Sequence, residues 1–281
     1  MPIAQANGCG IYYETTGDGH DLVFVHGEDH GIELFSDQLP VFSRDYRCTA
    51  FYRRGHGRSE SAPYGYSLWN QMHDLRALLE ELGIKRAVLV GVGMGNPVAA
   101  LFAMYRPGAV AGLVMAAWYE LDGYPLLEER RKQAHQLTFA QLHLRMHEMR
   151  RDQGQAALRS FIESNVDRYY PIFPIQPDLR QRMVDMVSSH PEGHYLQAVE
   201  HYSSLPNLVP EMHRVAAPIL GICGSDDPSP DRPELLAHVA NFRQEWVDGA
   251  RRFVVMEQPN AFNAMVSGFL EEVGWTPGWH E

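Results

Sequence analysis

The chain has 281 residues, 45% of them hydrophobic, enough to bury a sizeable core as one large domain or as a domain with an insertion. A formal charge of −11 argues against nucleic acid and anionic membrane surfaces as partners, because both need clustered basic residues. No apolar run approaches the roughly 20 residues of a membrane span, no secretory signal is evident, and three distant cysteines form no C-x-x-C, so a reduced cytoplasm is the expected setting.

Taken in order, Gly10 to Thr15 reads as a strand, turned by Gly17-Asp18-Gly19 into the apolar run Leu22-Val23-Phe24-Val25. Two such runs around a glycine turn predict a hairpin at the start of a sheet. His26-Gly27-Glu28-Asp29-His30-Gly31 closes the second strand, residues 33–44 read as a helix, and Tyr46 to Tyr52 as the next strand. Arg54-Gly55-His56-Gly57-Arg58-Ser59 is a glycine-rich turn, followed by Leu68, Met72, Leu75, Leu78, Leu79 and Leu82 on one helical face, with Gly83 as the stop. Val88-Leu89-Val90 then runs into Gly91-Val92-Gly93-Met94-Gly95 and an alanine-rich helix, a pattern of strand, sharp turn and helix. Val110 to Met115 predicts another buried strand. From about Glu120 to Pro210 charged amphipathic helices dominate, and Pro218 to Cys223 returns to a buried strand. Residues 232–242 read as a helix, Gln244 to Val247 as a short strand and Pro259 to Val273 as the closing helix. Strands alternating with helices predict an α/β fold with a mainly parallel sheet.

The strand–turn–helix at Gly91 to Gly95 resembles the nucleophile elbow of the α/β-hydrolase family, G-x-S-x-G. His26-Gly27 resembles that family's H-G loop, which supplies one oxyanion-hole N–H, and Arg54 to Ser59 its R-G-H-G-x-S turn, with Tyr52 where the family usually has Asp. The resemblance implies an α/β-hydrolase core over residues 1–119 and 211–281, and an inserted helical cap over 120–210. It also implies a triad in the order nucleophile, acid, histidine. Here the nucleophile position holds Gly93. The acid position falls on Asp227, in Gly224-Ser225-Asp226-Asp227. Counting back from Glu257-Gln258-Pro259 puts Arg252 where the histidine would stand, and no histidine lies between Val239 and Trp279.

Glycine has no group to attack with, and arginine stays protonated and cannot accept a proton from an alcohol. A two-step serine esterase is therefore excluded as the expected mechanism. The N–H of Met94 and a second N–H from the loop after Gly27, near the positive end of the following helix, would still favour an anion or a developing oxyanion. Arg252, oriented by Asp227, is either a clamp for a carboxylate or an enolate, or a salt bridge that merely replaces the Asp–His contact. His30 or Glu28 could activate a water in the space left by Gly93, whereas His26 commonly belongs to the structural turn, and a loop rich in Glu and Asp is commonly just solvated. Trp118, Tyr119 and Tyr124 are candidates for an apolar substrate wall, or for ordinary packing.

His143 with His147, and His190 with His194, have i, i+4 spacing, but no third ligand is placed by spacing. These histidines are expected to be exposed, and neither a metal nor a cofactor is expected. Two functions remain open. One is an enzyme without the serine mechanism (a lyase, isomerase, cyclase or water-activating hydrolase) acting on a small apolar carbonyl or carboxylate compound, an anionic one among the candidates. The other is a catalytically silent relative that binds a small molecule or a protein.

Overall fold

The computed structural model describes residues 2–123, 125, 129, 137–169, 176–191, 193–227 and 233–277. Its first strands are β1 (Ile3–Ala6), β2 (Cys9–Thr16), β3 (Asp21–Val25) and β4 (Arg47–Phe51), with the short helix α1 (Leu39–Phe42) between the last two. Then come α2 (Leu68–Glu81), β5 (Ala87–Val92), α3 (Gly95–Tyr105) and β6 (Val110–Ala116). Among the described residues three longer helices separate β6 from β7: α4 (Phe139–Tyr169), α5 (Pro177–Ser188) and α6 (His194–Ser203). The chain ends with β7 (Ile219–Gly224), β8 (Phe242–Val247), α7 (Val254–Glu257) and α8 (Pro259–Glu272). None of the described helices is long and apolar enough to cross a membrane.

The strands form one eight-stranded sheet in the order β1-β2-β4-β3-β5-β6-β7-β8. Only the pairings of β1 with β2 and of β2 with β4 are antiparallel. The hairpin expected between β2 and β3 is therefore absent: β3 pairs in parallel with β4 and with β5. The reason lies in burial. Leu22 and Phe24 join one apolar cluster while Val23 and Val25 join the other, so both faces of β3 are covered and it belongs inside the sheet. The hairpin that does form is β1–β2, closed by Asn7 and Gly8 with φ of 51° and 73°, as a two-residue turn of that chemistry requires. Two predicted helices shrink. Residues 33–44 hold a 3-10 turn, Ile32–Phe35, and α1, while 233–236 form a 3-10 turn and residue 232 lies outside the described residues.

One face of the sheet carries Leu68, Met72, Leu75 and Leu79 of α2 with Val98, Leu101 and Phe102 of α3. The other carries Phe262, Val266 and Phe269 of α8, and its cluster runs on into Leu142, Met146, Met183 and Val187 of α4 and α5. The helices between β6 and β7 are thus packed onto the core by continuous apolar contact. Helix α4 is broken at Gly154, whose backbone is not helical (φ 85°, ψ 179°).

The turn from β5 into α3 is fixed by three glycines with different duties. A Cβ at Gly95 would lie 2.0 Å from the Val25 carbonyl oxygen, so only glycine lets α3 start against the end of β3. A Cβ at Gly91 would meet the Asn96 side chain at 2.7 Å. Gly93 is left-handed (φ 53°), but a Cβ there would find nothing closer than a Glu120 carboxylate oxygen at 3.4 Å. The space for a nucleophile survives without the nucleophile. Gly93→Ala is expected to cost about 1–2 kcal/mol, the penalty of a left-handed alanine. Gly95→Ala should cost about 3 kcal/mol or more, because backbone would have to move. Urea denaturation of the two variants checks that order.

Candidate active site

The apolar ends of β3, β5 and β6 deliver their following loops to one place beneath α4, α5 and α6. There a small pocket of about 40 Å³ is lined by Gly27, Gly93 and Met94, by Glu28, Asp29, His30 and Glu120, and by Arg252 and Phe253. Phe139, Val187 and Tyr202 close it from the helices above. That volume exceeds the roughly 10–15 Å³ needed for one water.

The loop after β3 is not solvated, contrary to expectation. Glu28, Asp29 and His30 are all buried, and each carboxylate has its own partners. Glu28 accepts from the Arg53 guanidinium at 2.8 Å and from His201 Nδ1 at 2.9 Å, and lies 3.2 Å from His56 Nε2. Burial would raise its pKa, but the Arg53 guanidinium and the hydrogen bond from His201 hold it well below the ordinary carboxylate range. Asp29, a left-handed residue with φ 59°, accepts from His143 Nε2 and from His194 Nε2, both at 3.0 Å. Burial again opposes its charge, and His143 and His194 again win. Both carboxylates are therefore held in the charged form, Glu28, which the sequence offered as a water-activating group, among them. Both serve as anchors.

The ring protonation states follow from the neighbours. His143 faces the Phe139 carbonyl with Nδ1 (2.8 Å) and Asp29 with Nε2, two acceptors, so both nitrogens must carry a proton. Burial works against that charge, but Asp29 lifts the His143 pKa above its ordinary value. His26 is the opposite case. Its Nε2 accepts the backbone N–H of Arg53 at 3.0 Å while Nδ1 donates to the Gly27 carbonyl at 2.7 Å, which fixes a neutral ring in the turn. Burial, with His56 and Arg53, holds its pKa well below the ordinary value. His26 is thus a structural residue, its side chain outside the pocket. His56 accepts from Arg53 at 3.2 Å and donates to the Arg54 carbonyl at 3.0 Å; burial and Arg53 push its pKa down to about 3. His30 lines the pocket with neither ring nitrogen hydrogen-bonded among the described residues, and burial pushes its pKa down to about 4.

At the former acid and histidine positions, Arg252 and Asp227 form a buried ion pair. The Arg252 Nη2 donates to Asp227 Oδ1 at 3.0 Å and Nε lies 2.5 Å from Oδ2. Trp118 was expected in the substrate wall and is not there. Its ring is buried against Phe242, with Nε1 donating to Gln244 at 2.9 Å, because the chain turns away at the left-handed Ala117 (φ 51°). Tyr124 and the side chain of Tyr119 lie outside the described residues.

His143, His190 and His194 are buried rather than exposed, and with His56 and His201 they make a histidine cluster that i, i+4 spacing alone did not reveal. The ring centroids of His190 and His194 are 4.1 Å apart, and those of His56 and His194 4.4 Å. Among the described residues one group has metal-ligand spacing, Glu28, His56 and His194, with donor atoms within 4.8 Å of one another. Arg53 already donates to both Glu28 and His56, so a fixed cation occupies the position and the group does not fit a metal ion. Sequence reading missed Glu120, Arg53, His56 and His201 as well. The signal available for His201 was its spacing of seven from His194, two turns along one face of α6.

The buried neutral rings have a consequence for pH. His26, His30, His56, His190 and His201 all have folded pKa values below that of an unfolded histidine. As pH falls through about 6.5 the unfolded chain takes up protons that the folded chain refuses, so stability drops, by up to about 1.4 kcal/mol per pH unit for each histidine. His143 has the opposite sign, and its contribution is lost as pH rises. The depressed carboxylates Glu28 and Asp29 stabilise the fold above the ordinary carboxylate pKa and add to the loss in stronger acid. The melting temperature is expected to fall steadily from pH 7 to pH 5; a flat profile over that range would contradict neutral buried rings.

Comparison with known proteins matches this architecture. A non-heme chloroperoxidase from Streptomyces lividans is 34% identical over 119 residues, 41% of this chain and 43% of that protein. A non-heme haloperoxidase from Rhodococcus erythropolis is 34% identical over 118 residues, with 41% and 43% covered. The chain thus matches about two fifths of the length of these curated relatives. 3-Oxoadipate enol-lactonase 2 from Acinetobacter baylyi is 23% identical over 269 residues, 93% of each chain. Among solved structures, the enol-lactonase from Burkholderia xenovorans LB400 superposes with a TM-score of 0.77 at 21% identity, covering 96% of this chain and all of the other, a likeness of fold. The family model described as alpha/beta hydrolase fold matches residues 22–229, most of the chain, and the chain belongs to that family.

Proposed function

We propose that this chain is an α/β-hydrolase-fold enzyme that hydrolyses a small ester or lactone by direct attack of water, without a covalent acyl intermediate, with residues 120–210 as its cap. The observation that carries this reading is the open position at Gly93. Where a serine would project, a Cβ would meet nothing closer than 3.4 Å, and the pocket that Glu28 and Met94 help to line has room for a water there. The N–H groups of those two residues, the second at the start of α3, would hold the oxyanion that water attack creates. A relative that spans 93% of this chain is named an enol-lactonase, which puts lactones among the compounds to test.

In this reading His30 is a neutral ring that positions the substrate by hydrogen bonds, since burial denies it a charge. Arg252 is a structural residue. Its guanidinium is engaged by a carboxylate, which neutralises the charge that an anion clamp would need. The pair replaces the Asp–His contact of the family and keeps the end of β7 tied to the segment after β8.

The test is turnover of a panel of acetate esters and small lactones in H₂¹⁸O, followed by mass spectrometry of product and intact protein. The expected result is an acid carrying one ¹⁸O, with no acyl mass on the protein. An acyl adduct on any elbow residue would overturn the mechanism. Absence of both turnover and thermal shift across the panel would favour a catalytically silent relative. Separately, Arg252→Met should cost about 3–5 kcal/mol by stranding the buried Asp227 carboxylate, and adding Asp227→Leu should recover most of that loss. Urea denaturation reads both, and an unchanged single variant would show that the ion pair is not structural.

A further inference from the structure

We propose that Glu120 is the general base of this site, a carboxylate delivered from the turn after β6 to the place that the elbow nucleophile has vacated. The proposal rests on the hydrolytic reading above and names its proton acceptor. Two of its observations are geometric. Glu120 is 5% exposed and lines the pocket, and its Oε1 lies 3.4 Å from where a Cβ on Gly93 would stand. A water in the Gly93 space therefore has this carboxylate beside it.

The third observation is how firmly that turn is held. The 3-10 turn Tyr119–Asp122 follows Ala117, a non-glycine residue kept at φ 51°. The Asn96 side chain donates to the carbonyls of Ala116 and Ala117 at 2.9 and 3.2 Å, and the Gly93 N–H donates to Ala116 at 3.0 Å, so elbow and turn are bonded to each other. Beyond Glu120, the Leu121 carbonyl accepts from Leu208 at 2.7 Å, and Gly123 sits so close to Asn207 that a Cβ would meet it at 2.7 Å. Strain of this kind persists only where the surroundings over-determine it, and it collects at functional sites.

Of the other acidic groups that line the pocket, Glu28 is hydrogen-bonded by Arg53 and His201, and Asp29 by His143 and His194. Glu120 is the carboxylate that faces the attack position. In the proposed step it takes one proton from water as the water oxygen bonds to the carbonyl carbon, and the carbonyl electron pair moves to the oxygen held by the backbone N–H groups. On collapse that pair returns, the bond to the alcohol oxygen breaks, and Glu120 gives its proton to the departing alkoxide. Ester or lactone plus water becomes acid plus alcohol, and the carboxylate is regenerated.

The test uses the full chain with p-nitrophenyl acetate and γ-butyrolactone as probes. Glu120→Gln is expected to lose about 10²–10⁴-fold in kcat/KM, the usual worth of a general base. Glu120→Ala should regain activity on addition of formate, which a purely structural role would not allow. Gly93→Ala should abolish turnover by filling the water position while leaving Glu120 untouched, which covers the case in which Glu120 variants fail to fold. If the wild type hydrolyses a probe and Glu120→Gln stays within threefold of it, Glu120 is not the base although the hydrolytic reading stands. If ¹⁸O from H₂¹⁸O appears in the peptide carrying Glu120 after turnover, the residue is a nucleophile and the general-base assignment falls. If the wild type hydrolyses neither probe nor any other ester or lactone, the hydrolytic reading fails and this assignment with it.

Discussion

Two adjacent buried carboxylates, Glu28 and Asp29, govern the upper half of this molecule. Moving a carboxylate out of water costs several kcal/mol even after relaxation, and here two sit side by side in the chain. The cost is offset because the backbone sends them in different directions. Glu28 is met by Arg53 from the turn after β4 and by His201 from α6, whereas Asp29 is met by the protonated His143 from α4 and by His194 from α6. Each negative charge has one full positive charge and a further donor. The left-handed backbone at Asp29 is what separates the two directions.

This arrangement joins the helices above the pocket to the sheet below it. Apolar contact between α4, α5 and the core is non-directional and would tolerate sliding. Charged hydrogen bonds from α4 and α6 to a single loop do not, because lifting either helix leaves a buried carboxylate short of a partner. The neutral histidines play a quieter part. His26 and His56 use both ring nitrogens on backbone or guanidinium groups and so stiffen the loops after β3 and β4 without adding charge. The result is a small pocket whose walls are fixed by these bonds, and preorganised walls are the condition under which backbone N–H groups act most strongly on a developing oxyanion.

What was legible in the sequence was the part written in local chemistry. The elbow, the loop at His26-Gly27, the turn at Arg54 and helix α2 each carry glycines or apolar spacing that one stretch of chain decides by itself. The first hairpin was legible too, in Asn7-Gly8, although the longer glycine turn at Gly17 to Gly19 drew the prediction instead. The fate of the polar residues was not legible. Whether Asp29 or His143 is solvated depends on residues more than a hundred positions away, and no periodicity encodes a buried ion pair. Trp118 misled for a related reason: one left-handed residue, Ala117, turns its side chain from the pocket toward Gln244. The same turn hid Glu120, whose place in the pocket depends on where that reversal points the next few side chains.

Backbone strain ties these points together. In the family's pattern the strained residue of the elbow is the nucleophile itself. Here that residue is glycine, for which φ of 53° is no burden, so the elbow keeps its shape without stored strain. The shape is maintained by Gly95, where close backbone approach excludes any side chain, and by Gly91, where a Cβ would press on Asn96, whatever occupies position 93. Among the described residues, the non-glycine residues at positive φ are Asn7, in its hairpin turn, and Asp29 and Ala117. The latter two introduce the loops that carry Asp29, His30 and Glu120 to the pocket from β3 and β6. In this chain the strain has left the elbow and sits at the two loops that deliver charge. The open elbow position is thus flanked by two loops that each hold a non-glycine residue in a left-handed conformation, at a cost of roughly 1–3 kcal/mol apiece.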